Sequence, residues 1–192
     1  LMVERGEADA LICGLVGRFH KKLGYLRSVF DFDPGLSASS AMTGVINDDG
    51  LWFFLDTHVQ PDPTAEQIAE STLQATCRMK LFGIEPRVAL LSHSNFGSHS
   101  DASAMKMHRV RELIAARVPR LNMDGEMMAD LAWKEDLRER IFPGSSLKGR
   151  PNLFVLPNLD AANITYNMVR MVTDGVALGP ILPTRDLPKG SL

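Results

Sequence analysis

Stretches with the apolar spacing of a helix alternate along this chain with short apolar runs typical of buried strands. The strand-like runs include residues 8–14, 88–91 and 153–157, and helix-like segments cover residues 18–30 and about 101–117. Parallel strands need crossovers of this kind, and each helix has to cover one face of the sheet that the strands form. The pattern therefore predicts an α/β domain with a largely parallel sheet.

One antiparallel pair interrupts this alternation. Residues 41–46 and 51–56 flank the sequence NDDG, whose Asp-Gly step is a turn signal typical of a β-hairpin. A further strand-like run, VALGPIL, lies near the end of the chain. The sheet is therefore expected to be mixed at one place and parallel elsewhere.

The clearest helix covers residues 65–82. Thr64 can cap its first turn together with Gln67 three residues later, in the pattern of a capping box. Apolar side chains then recur on one face, and Gly83 is placed to end the helix. Farther along, another helix is predicted from about residue 126 to residue 141.

The composition is that of an ordinary globular protein. The 192 residues are 45% hydrophobic, which is enough for a substantial core in one large or two small domains. A formal charge of −2 gives no general attraction for nucleic acid or anionic lipid, so anion binding would need a local pocket. No uncharged apolar run approaches the ~18 residues of a membrane span, and the first residues lack a signal-peptide pattern.

These features predict a cytoplasmic protein that binds neither nucleic acid nor membranes. Cys13 and Cys77 do not form a CxxC pair and are expected to be buried, reduced thiols. The chain starts with Leu1 inside a helix-like segment and stops at Leu192 just after a strand-like one. We therefore expect it to be a piece of a longer protein.

A serine-rich loop is the first candidate for chemistry. The segment RVALLSHSNFGSHSD, residues 87–101, combines an apolar strand run, a loop of hydroxyl and amide side chains, and the start of a helix. Gly97 lets the backbone approach a ligand, and the next helix would aim its free N–H groups at the same place. An anion cradle is one interpretation. An ordinary Ser-Asn-Gly turn is the other, and composition alone favours the turn.

Two further loops follow predicted strands, where open α/β sheets bind their ligands. His20 and Arg27 lie two helical turns apart, so Arg27 could hold a phosphate in bidentate fashion, although an exposed basic helix face fits equally well. Near the other loop, Asn158, Asp160 and Asn163 cluster at a helix start, where Asp160 suits an N-cap.

The histidines do not predict a metal site. His93, His99 and His108 lie near Asp101, but their spacings do not place them on one helix face as HExxH does. A Ser-His-Asp triad could be assembled from the same stretch on paper, but the GxSxG elbow is missing. Neither a metal ion nor a catalytic triad is therefore expected.

Several blocks resemble, in order and spacing, the phosphate acetyltransferase (phosphotransacetylase) family. They are HKKLGYLRSVF, FLDTHVQPDPTAEQIAE, FGIEPRVALLSHSNFGS, NMDGEM, FPGSSLKGRPNLFVLPNLDAANITYNMVR and GPIL. The resemblance covers residues 1 to about 182. It is strongest to the branch that is fused behind the catalytic part of bacterial NADP-dependent malic enzymes.

The resemblance implies a three-layer α/β fold similar to that of the isocitrate/isopropylmalate dehydrogenases, with two lobes and a cleft. On this basis residues 1–40 would be the end of lobe one, and residues 41–182 would be lobe two. Residues 183–192 would form an atypical tail of a fragment.

The resemblance also implies a binding site. Family members exchange an acetyl group between phosphate and coenzyme A, so acetyl-CoA, coenzyme A or phosphate is the expected ligand. No metal and no resident cofactor is expected in this piece. The residues that match the family's binding motifs are His20, Arg27, Ser92, Ser94, Asn95, Gly97, Ser98, Asn158, Asn163, Gly179 and Pro180.

The chain departs from the family pattern at two places. The family's helix motif, roughly HSTADTVRPA, reads HKKLGYLRSV here, and the family's NDLSRGC segment reads PTRDLPKGSL. Pro188 and Lys189 then stand where the family has its reactive serine and arginine, so no catalytic residue is expected.

A catalytically silent domain is the leading hypothesis. It would bind acetyl-CoA as an allosteric effector of a malic enzyme whose separate catalytic domain uses NADP and a divalent metal. Two alternatives remain open. One is an active phosphate acetyltransferase. The other is a structural domain that holds a homo-oligomer together through the apolar face of Ile164, Met168 and Met171, although packing in the core explains that face equally well.

Overall fold

The computed structural model describes Met2, residues 5–8, 11–12 and 16–29, and residues 40–182. These residues fall into two compact units, of which one contains the described residues up to Val29 and the other those from Ser40 onwards.

The first unit contains helix α1 (Phe19–Val29), which confirms the helix predicted over 18–30. The strand predicted over residues 8–14 is not present at Ala8, Leu11 or Ile12, and both Leu11 and Ile12 are exposed. The rest of that segment, with Cys13, lies outside the described residues.

A six-stranded sheet forms the centre of the second unit. Its strands are β1 (Met42–Asn47), β2 (Gly50–Leu55), β3 (Val88–Leu91), β4 (Met123–Met127), β5 (Leu153–Val155) and β6 (Val176–Ile181). Their spatial order is β4-β3-β5-β2-β1-β6, and the four strands from β4 to β2 are parallel. Strand β1 runs antiparallel to both of its neighbours. The predicted parallel strands and the antiparallel hairpin are present, but the expectation of a single antiparallel pair is wrong, because β6 also runs antiparallel to β1.

The predicted hairpin is formed by β1 and β2. Asn47 pairs with Gly50, so Asp48 and Asp49 make the turn between the two strands. Gly50 has a φ of +142°, a backbone conformation that favours glycine.

Helices cover both faces of the sheet. They are α2 (Ala65–Leu81), α3 (Ala102–Arg117), α4 (Ala129–Trp133), α5 (Glu135–Ile141) and α6 (Leu159–Val172). Apolar residues of α2 and α3 pack with Phe53 and Leu90 on one face, while α4 and α6 pack with Phe54 and Leu91 on the other. Alternate side chains of each strand thus point to different cores, which gives a three-layer α/β/α arrangement.

The start of α2 is a capping box, as the sequence predicts. The side chain of Thr64 accepts a hydrogen bond from the Gln67 backbone N–H, and Gln67 Oε1 accepts one from the Thr64 N–H at 2.8 Å. After the helix, Gly83 adopts a φ of +74°. None of the described helices is long and apolar enough to cross a membrane.

The prediction of one helix from residue 126 to residue 141 is wrong. Residues 123–127 form β4 beside β3, and α4 and α5 follow as two short helices separated at Lys134. The sequence MDGEM has the polarity of a surface segment, but all five residues are buried. Asp124 and Glu126 can be buried because hydrogen-bond donors from loops and from α3 surround their carboxylates.

The apolar residues on the far side of α6 do not pack in the core. Ile164, Met168 and Met171 are 62%, 59% and 70% exposed, whereas the buried side of α6 carries Ala162 and Tyr166. Core packing therefore does not explain this apolar face.

Candidate functional site

The serine loop, residues 92–100, follows β3 at the carboxyl edge of the parallel strands. The chain continues from it into α3 on one face of the sheet, whereas the chain after the neighbouring strand β5 continues into α6 on the opposite face. Connections that diverge in this way leave a crevice at the strand ends, which is the usual ligand position in open α/β sheets.

The backbone of the serine loop is attached to the end of β4. The Ser92 N–H donates to the Met127 carbonyl at 2.9 Å, and the Phe96 N–H donates to the Glu126 carbonyl at 2.8 Å. Phe96 and Gly97 both have positive φ values, +48° and +85°, so the chain turns sharply between them. The shape of the loop is thus set by contacts with a neighbouring strand as well as by its own sequence.

The carboxylate of Glu126 lies at the centre of this loop. Its Oε1 accepts a 2.8 Å hydrogen bond from Ser94 Oγ and a 2.6 Å hydrogen bond from the Gly97 N–H. Its Oε2 lies 3.2 Å from Nδ1 of His108 on α3. Burial raises the pKa of Glu126, but the hydrogen bonds from Gly97, Ser94 and His108 outweigh it and hold the pKa below its ordinary value.

Sequence reasoning missed Glu126. The residue belongs to the NMDGEM block of the family resemblance, but the sequence predicts the start of a helix at this position. The signal in the sequence that points to a buried carboxylate is the set of hydroxyl and N–H donors in the serine loop. Such donors need an acceptor when they are buried.

Ser94 is enclosed. Its side chain is 0% exposed, and besides Glu126 its Oγ accepts from the His99 N–H at 3.1 Å and lies 3.3 Å from Ser98 Oγ. The Ser98 hydroxyl also accepts from the Asn95 N–H at 2.9 Å. The predicted site residues Ser94, Asn95, Gly97 and Ser98 are therefore brought together, but Ser94 and Gly97 are directed at a carboxylate of the chain itself.

The start of α3 is also capped by a carboxylate. Asp101 accepts hydrogen bonds from the N–H groups of Ser103 and Ala104, and Nε2 of His93 lies 2.8 Å from its Oδ2. Although desolvation raises its pKa, the hydrogen bonds from Ala104, His93 and Ser103 lower it overall. The N–H groups of Ser103 and Ala104, which the sequence predicts to be free for an anionic ligand, therefore donate to Asp101 instead.

Two histidine rings lie at the surface of the serine loop. The rings of His93 and His99 are 5.1 Å apart, and Nδ1 of His99 lies 3.0 Å from Ser98 Oγ. Among the residues that the structure describes, no group of three or more His, Cys, Asp or Glu side chains could hold a metal ion.

The asparagines of the third loop are hydrogen-bonded within the fold. Asn158 is the N-cap of α6 and its Oδ1 accepts from the Ala161 N–H at 2.9 Å. The prediction that Asp160 is the cap is therefore wrong, because Asp160 lies in the first turn and is exposed. Asn163 donates through Nδ2 to the Thr57 carbonyl at 3.1 Å, which ties α6 to the segment after β2.

A small cavity lies between the carboxyl ends of β2 and β5. Its volume of about 20 Å³ has room for about one water molecule. Burial raises the pKa of Asp56 in its wall, against the backbone hydrogen bonds that its carboxylate accepts. The lining residues are Leu55, Asp56, Gln60, Pro63, Ile68, Ser71, Leu156 and Asn158.

The remaining predicted site residues are placed apart or lie outside the description. The backbones of His20 and Arg27 are in α1, but their side chains lie outside the described part of the chain. Gly179 and Pro180 are in β6, and three strands separate β6 from β3. At ~4.8 Å per strand this is roughly 19 Å, so the structure does not bring Gly179 and Pro180 to the serine loop.

A second buried carboxylate on β4 has a structural role. Asp124 Oδ1 accepts from Arg111 Nε at 2.8 Å, and Oδ2 accepts from Ser145 Oγ at 2.9 Å and from the Ser146 N–H at 2.7 Å. Burial raises its pKa, but the hydrogen bond from Arg111 and those from backbone and serine donors lower it overall. Asp124 thereby fastens the segment before β5 to α3 and β4.

Comparison with known proteins shows which proteins the sequence of this chain resembles. The NADP-dependent malic enzyme of Escherichia coli (strain K12) is 47% identical over 183 residues, which cover 95% of this chain and 24% of that protein. The phosphate acetyltransferase of Synechocystis sp. is 34% identical over 197 residues, which cover 100% of this chain and 28% of that protein. The chain therefore spans about a quarter of the length of these curated relatives.

Solved structures show the same fold. A phosphotransacetylase from Streptococcus pyogenes matches with a TM-score of 0.85 and 28% sequence identity, covering 95% of this chain and 56% of that one. The model of the phosphate acetyl/butaryl transferase family matches residues 1–189. This chain belongs to the phosphate acetyl/butaryl transferase family.

Proposed function

We propose that this chain is the phosphotransacetylase-like regulatory part of a malic enzyme. The parent protein would oxidatively decarboxylate malate to pyruvate with NADP and a divalent metal on a separate catalytic domain. The chain itself would bind acetyl-CoA as an allosteric effector and would not catalyse acetyl transfer. The observation that carries the proposal is the 47% identity to a malic enzyme, against 34% to a phosphate acetyltransferase, over nearly the whole chain.

The surface of the serine loop supplies the described groups that can meet such a ligand. Ser98 and His99 are exposed there. The buried Ser94 hydroxyl holds them in place through its contact with Ser98 Oγ and its hydrogen bond from the His99 N–H. Hydroxyl and imidazole groups can donate hydrogen bonds to a thioester carbonyl or to a phosphate oxygen. Because the nearby carboxylates of Glu126 and Asp101 are ionised at neutral pH, a phosphate bound there also needs a cation to offset their negative charge.

Regulation requires that acetyl-CoA bind two states of the parent protein with different affinity. An effector that binds both states equally shifts neither, however tightly it binds. By linkage, malate and acetyl-CoA must change each other's affinity by the same factor. The proposal therefore predicts a coupling that can be measured from either ligand.

Calorimetric titration of the full-length parent with acetyl-CoA tests this proposal. We expect saturable binding, and we expect the concentration of malate needed for half-maximal velocity to change when acetyl-CoA is present. Coenzyme A, which differs from acetyl-CoA only by the missing acetyl group, is the matched control for that group. Absence of binding by the full-length protein would overturn the proposed function.

An active phosphate acetyltransferase is the second candidate, because the chain belongs to that family and all of this chain matches about a quarter of one such enzyme at 34% identity. It requires the full-length protein to form acetyl-CoA from acetyl phosphate and coenzyme A. We expect no formation above the uncatalysed rate. Sustained turnover that depends on enzyme concentration would contradict catalytic silence.

A structural, oligomerising role is the third candidate. The exposed apolar face of Ile164, Met168 and Met171 favours it, since large apolar side chains grouped on a surface are typical of protein interfaces. This role is compatible with effector binding, because an oligomer interface can be the element whose arrangement the effector changes.

A further inference from the structure

We infer that Glu126 is a positioning residue that sets the shape of the serine loop for its ligand, and that it acts through Ser94, which does not touch that ligand. The inference rests on the proposed function for the identity of the ligand, acetyl-CoA. The hydrogen-bond arrangement on which it depends is independent of that identity.

Burial separates the two residues from any ligand. Ser94 is 0% exposed and Glu126 is 1% exposed, so neither side chain can be reached from solvent without a rearrangement of the loop. Glu126 Oε1 accepts from the Ser94 side chain and from the Gly97 backbone. These donors lie on either side of the sharp turn at Phe96, so one oxygen atom fixes both ends of that turn.

The second carboxylate oxygen connects the loop to a helix. Glu126 Oε2 lies 3.2 Å from Nδ1 of His108, and an ionised carboxylate can only accept, so Nδ1 is the donor. Glu126 itself lies on β4, which pairs with β3. The carboxylate therefore joins the serine loop to a strand and to α3 at one point.

A chain of hydrogen bonds leads from Glu126 to the exposed side of the loop. Glu126 accepts from Ser94, and Ser94 Oγ in turn contacts Ser98 Oγ at 3.3 Å and accepts from the His99 N–H at 3.1 Å. Ser98 and His99 are exposed. Removal of the carboxylate is thus expected to move the two residues that the proposed function assigns to ligand contact.

The chemistry of the side chain predicts a graded series of variants. In Glu126→Ala, the Ser94 hydroxyl and the Gly97 N–H lose their acceptor, and for the buried Ser94 this is costly because a buried donor without a partner keeps its full desolvation penalty. In Glu126→Gln, the amide oxygen can still accept from both donors. The glutamine variant should therefore preserve most of the loop geometry.

The test combines affinity with a direct measurement of the loop in the full-length protein. Calorimetry gives the dissociation constant for acetyl-CoA, and hydrogen exchange followed by mass spectrometry reports on a peptide covering residues 92–100. We expect Glu126→Ala to weaken binding by about tenfold or more and to accelerate exchange in this peptide, and Glu126→Gln to stay within about threefold of wild type. Glu139→Ala, an exposed glutamate on α5, is the matched control and should change neither.

A double-mutant cycle distinguishes positioning from general destabilisation. Ser94→Ala removes the same hydrogen bond from the other side, so its effect on affinity should not add to that of Glu126→Ala. If Glu126→Ala does not fold, Ser94→Ala replaces it: we expect weaker acetyl-CoA binding and faster exchange of residues 92–100, and wild-type affinity and exchange in Ser94→Ala would overturn the inference.

Three results would overturn the inference. They are wild-type affinity and exchange in Glu126→Ala, tighter acetyl-CoA binding in Glu126→Ala because the loop donors are released, and additive effects in the double mutant. If the wild-type protein does not bind acetyl-CoA at all, the proposed function fails. In that case, the hydrogen-exchange measurement on residues 92–100 still decides whether the Glu126 carboxylate fixes the conformation of the serine loop.

Discussion

At the scale of single residues, two buried carboxylates on one short strand have different partners. Asp124 is held by Arg111 and by the serines before β5, whereas Glu126 is held by the serine loop and His108. Each carboxylate lies where donors from distant parts of the chain converge. Asp124 therefore contributes to stability, while Glu126 shapes a candidate binding loop.

Asp124→Asn should lower the free energy of unfolding by about 2 kcal/mol at neutral pH, since it removes a charged acceptor from several buried donors. The folded-state pKa of Asp124 is below its ordinary value. The contribution of the Asp124 carboxylate to the free energy of unfolding is therefore fully present above the pKa of an aspartate in the unfolded chain, about 3.9. It is lost as the pH falls through the pKa of Asp124 in the folded protein. Urea unfolding at several pH values checks this prediction, and the difference from wild type should narrow on acidification.

The exposed Asp136 on α5 provides the control for that measurement. Asp136→Asn should change the free energy of unfolding by less than about 0.5 kcal/mol. A difference between wild type and Asp124→Asn that stayed constant down to acidic pH would contradict the assignment of the effect to the ionised carboxylate.

The sequence predicts the grouping of the serine-loop residues but not what they surround. Ser94, Gly97 and Ser98 stand out because small and hydroxylated residues follow an apolar strand. Glu126 does not, because a pattern of polarity assigns carboxylates to the surface. Only the fold shows that a residue 32 positions after Ser94 accepts its hydrogen bond.

At the scale of secondary-structure elements, the sequence predicts correctly those elements that depend on residues close in the chain. It does not predict strand β4, which depends on distant residues. The hairpin of β1 and β2 and the capping box of α2 depend on residues close in sequence, and both are confirmed. Strand β4 depends on its pairing with β3 and on donors from other loops, so its sequence alone indicated the start of a helix.

Strand β4 approaches β3 so closely that Gly125 cannot carry a side chain. A Cβ at this position would lie 2.5 Å from the Leu90 carbonyl oxygen, and Gly125 has a φ of +146°. We expect Gly125→Ala to destabilise the protein by about 3 kcal/mol or more, through steric overlap and backbone strain. Thermal unfolding measures the effect. Gly144→Ala is the control, because a Cβ at Gly144 would meet open space, and an equal loss in both variants would refute the steric explanation.

The capping box gives a smaller prediction. Thr64→Ala removes the side-chain acceptor for the Gln67 N–H and should cost about 1 kcal/mol. Thr64→Ser keeps the hydroxyl and should restore most of the stability in urea unfolding. A serine variant as unstable as the alanine variant would show that the hydroxyl is not the stabilising group.

At the scale of the whole molecule, exposed apolar side chains gather on one helix among the described residues. Ile164, Met168 and Met171 are exposed on α6, and Val172 at the end of this helix is 77% exposed. A group of large apolar side chains of this kind is a surface that natural proteins ordinarily cover.

We expect this surface to contribute to self-association of the full-length protein. Met168→Glu would place a charge in the interface and should lower the average mass in sedimentation experiments. Met105→Glu, at a half-exposed methionine on α3, is the matched control and should leave the mass unchanged. Identical masses for wild type and Met168→Glu would argue against a role of this face in assembly.

The order of the strands has a consequence for how the chain is made. The hairpin of β1 and β2 and the pair of β3 and β4 can each emerge from the ribosome before β5 exists, yet β5 is the strand that joins β2 to β3. Until β5, which begins at Leu153, is synthesised, β2 of the hairpin and β3 of the parallel pair each have an unpaired edge at the place where β5 later binds. The pairing of strands that are far apart in sequence is slow. Open strand edges can pair with other chains in the meantime, so yield in the cell should depend on how quickly β5 arrives and docks.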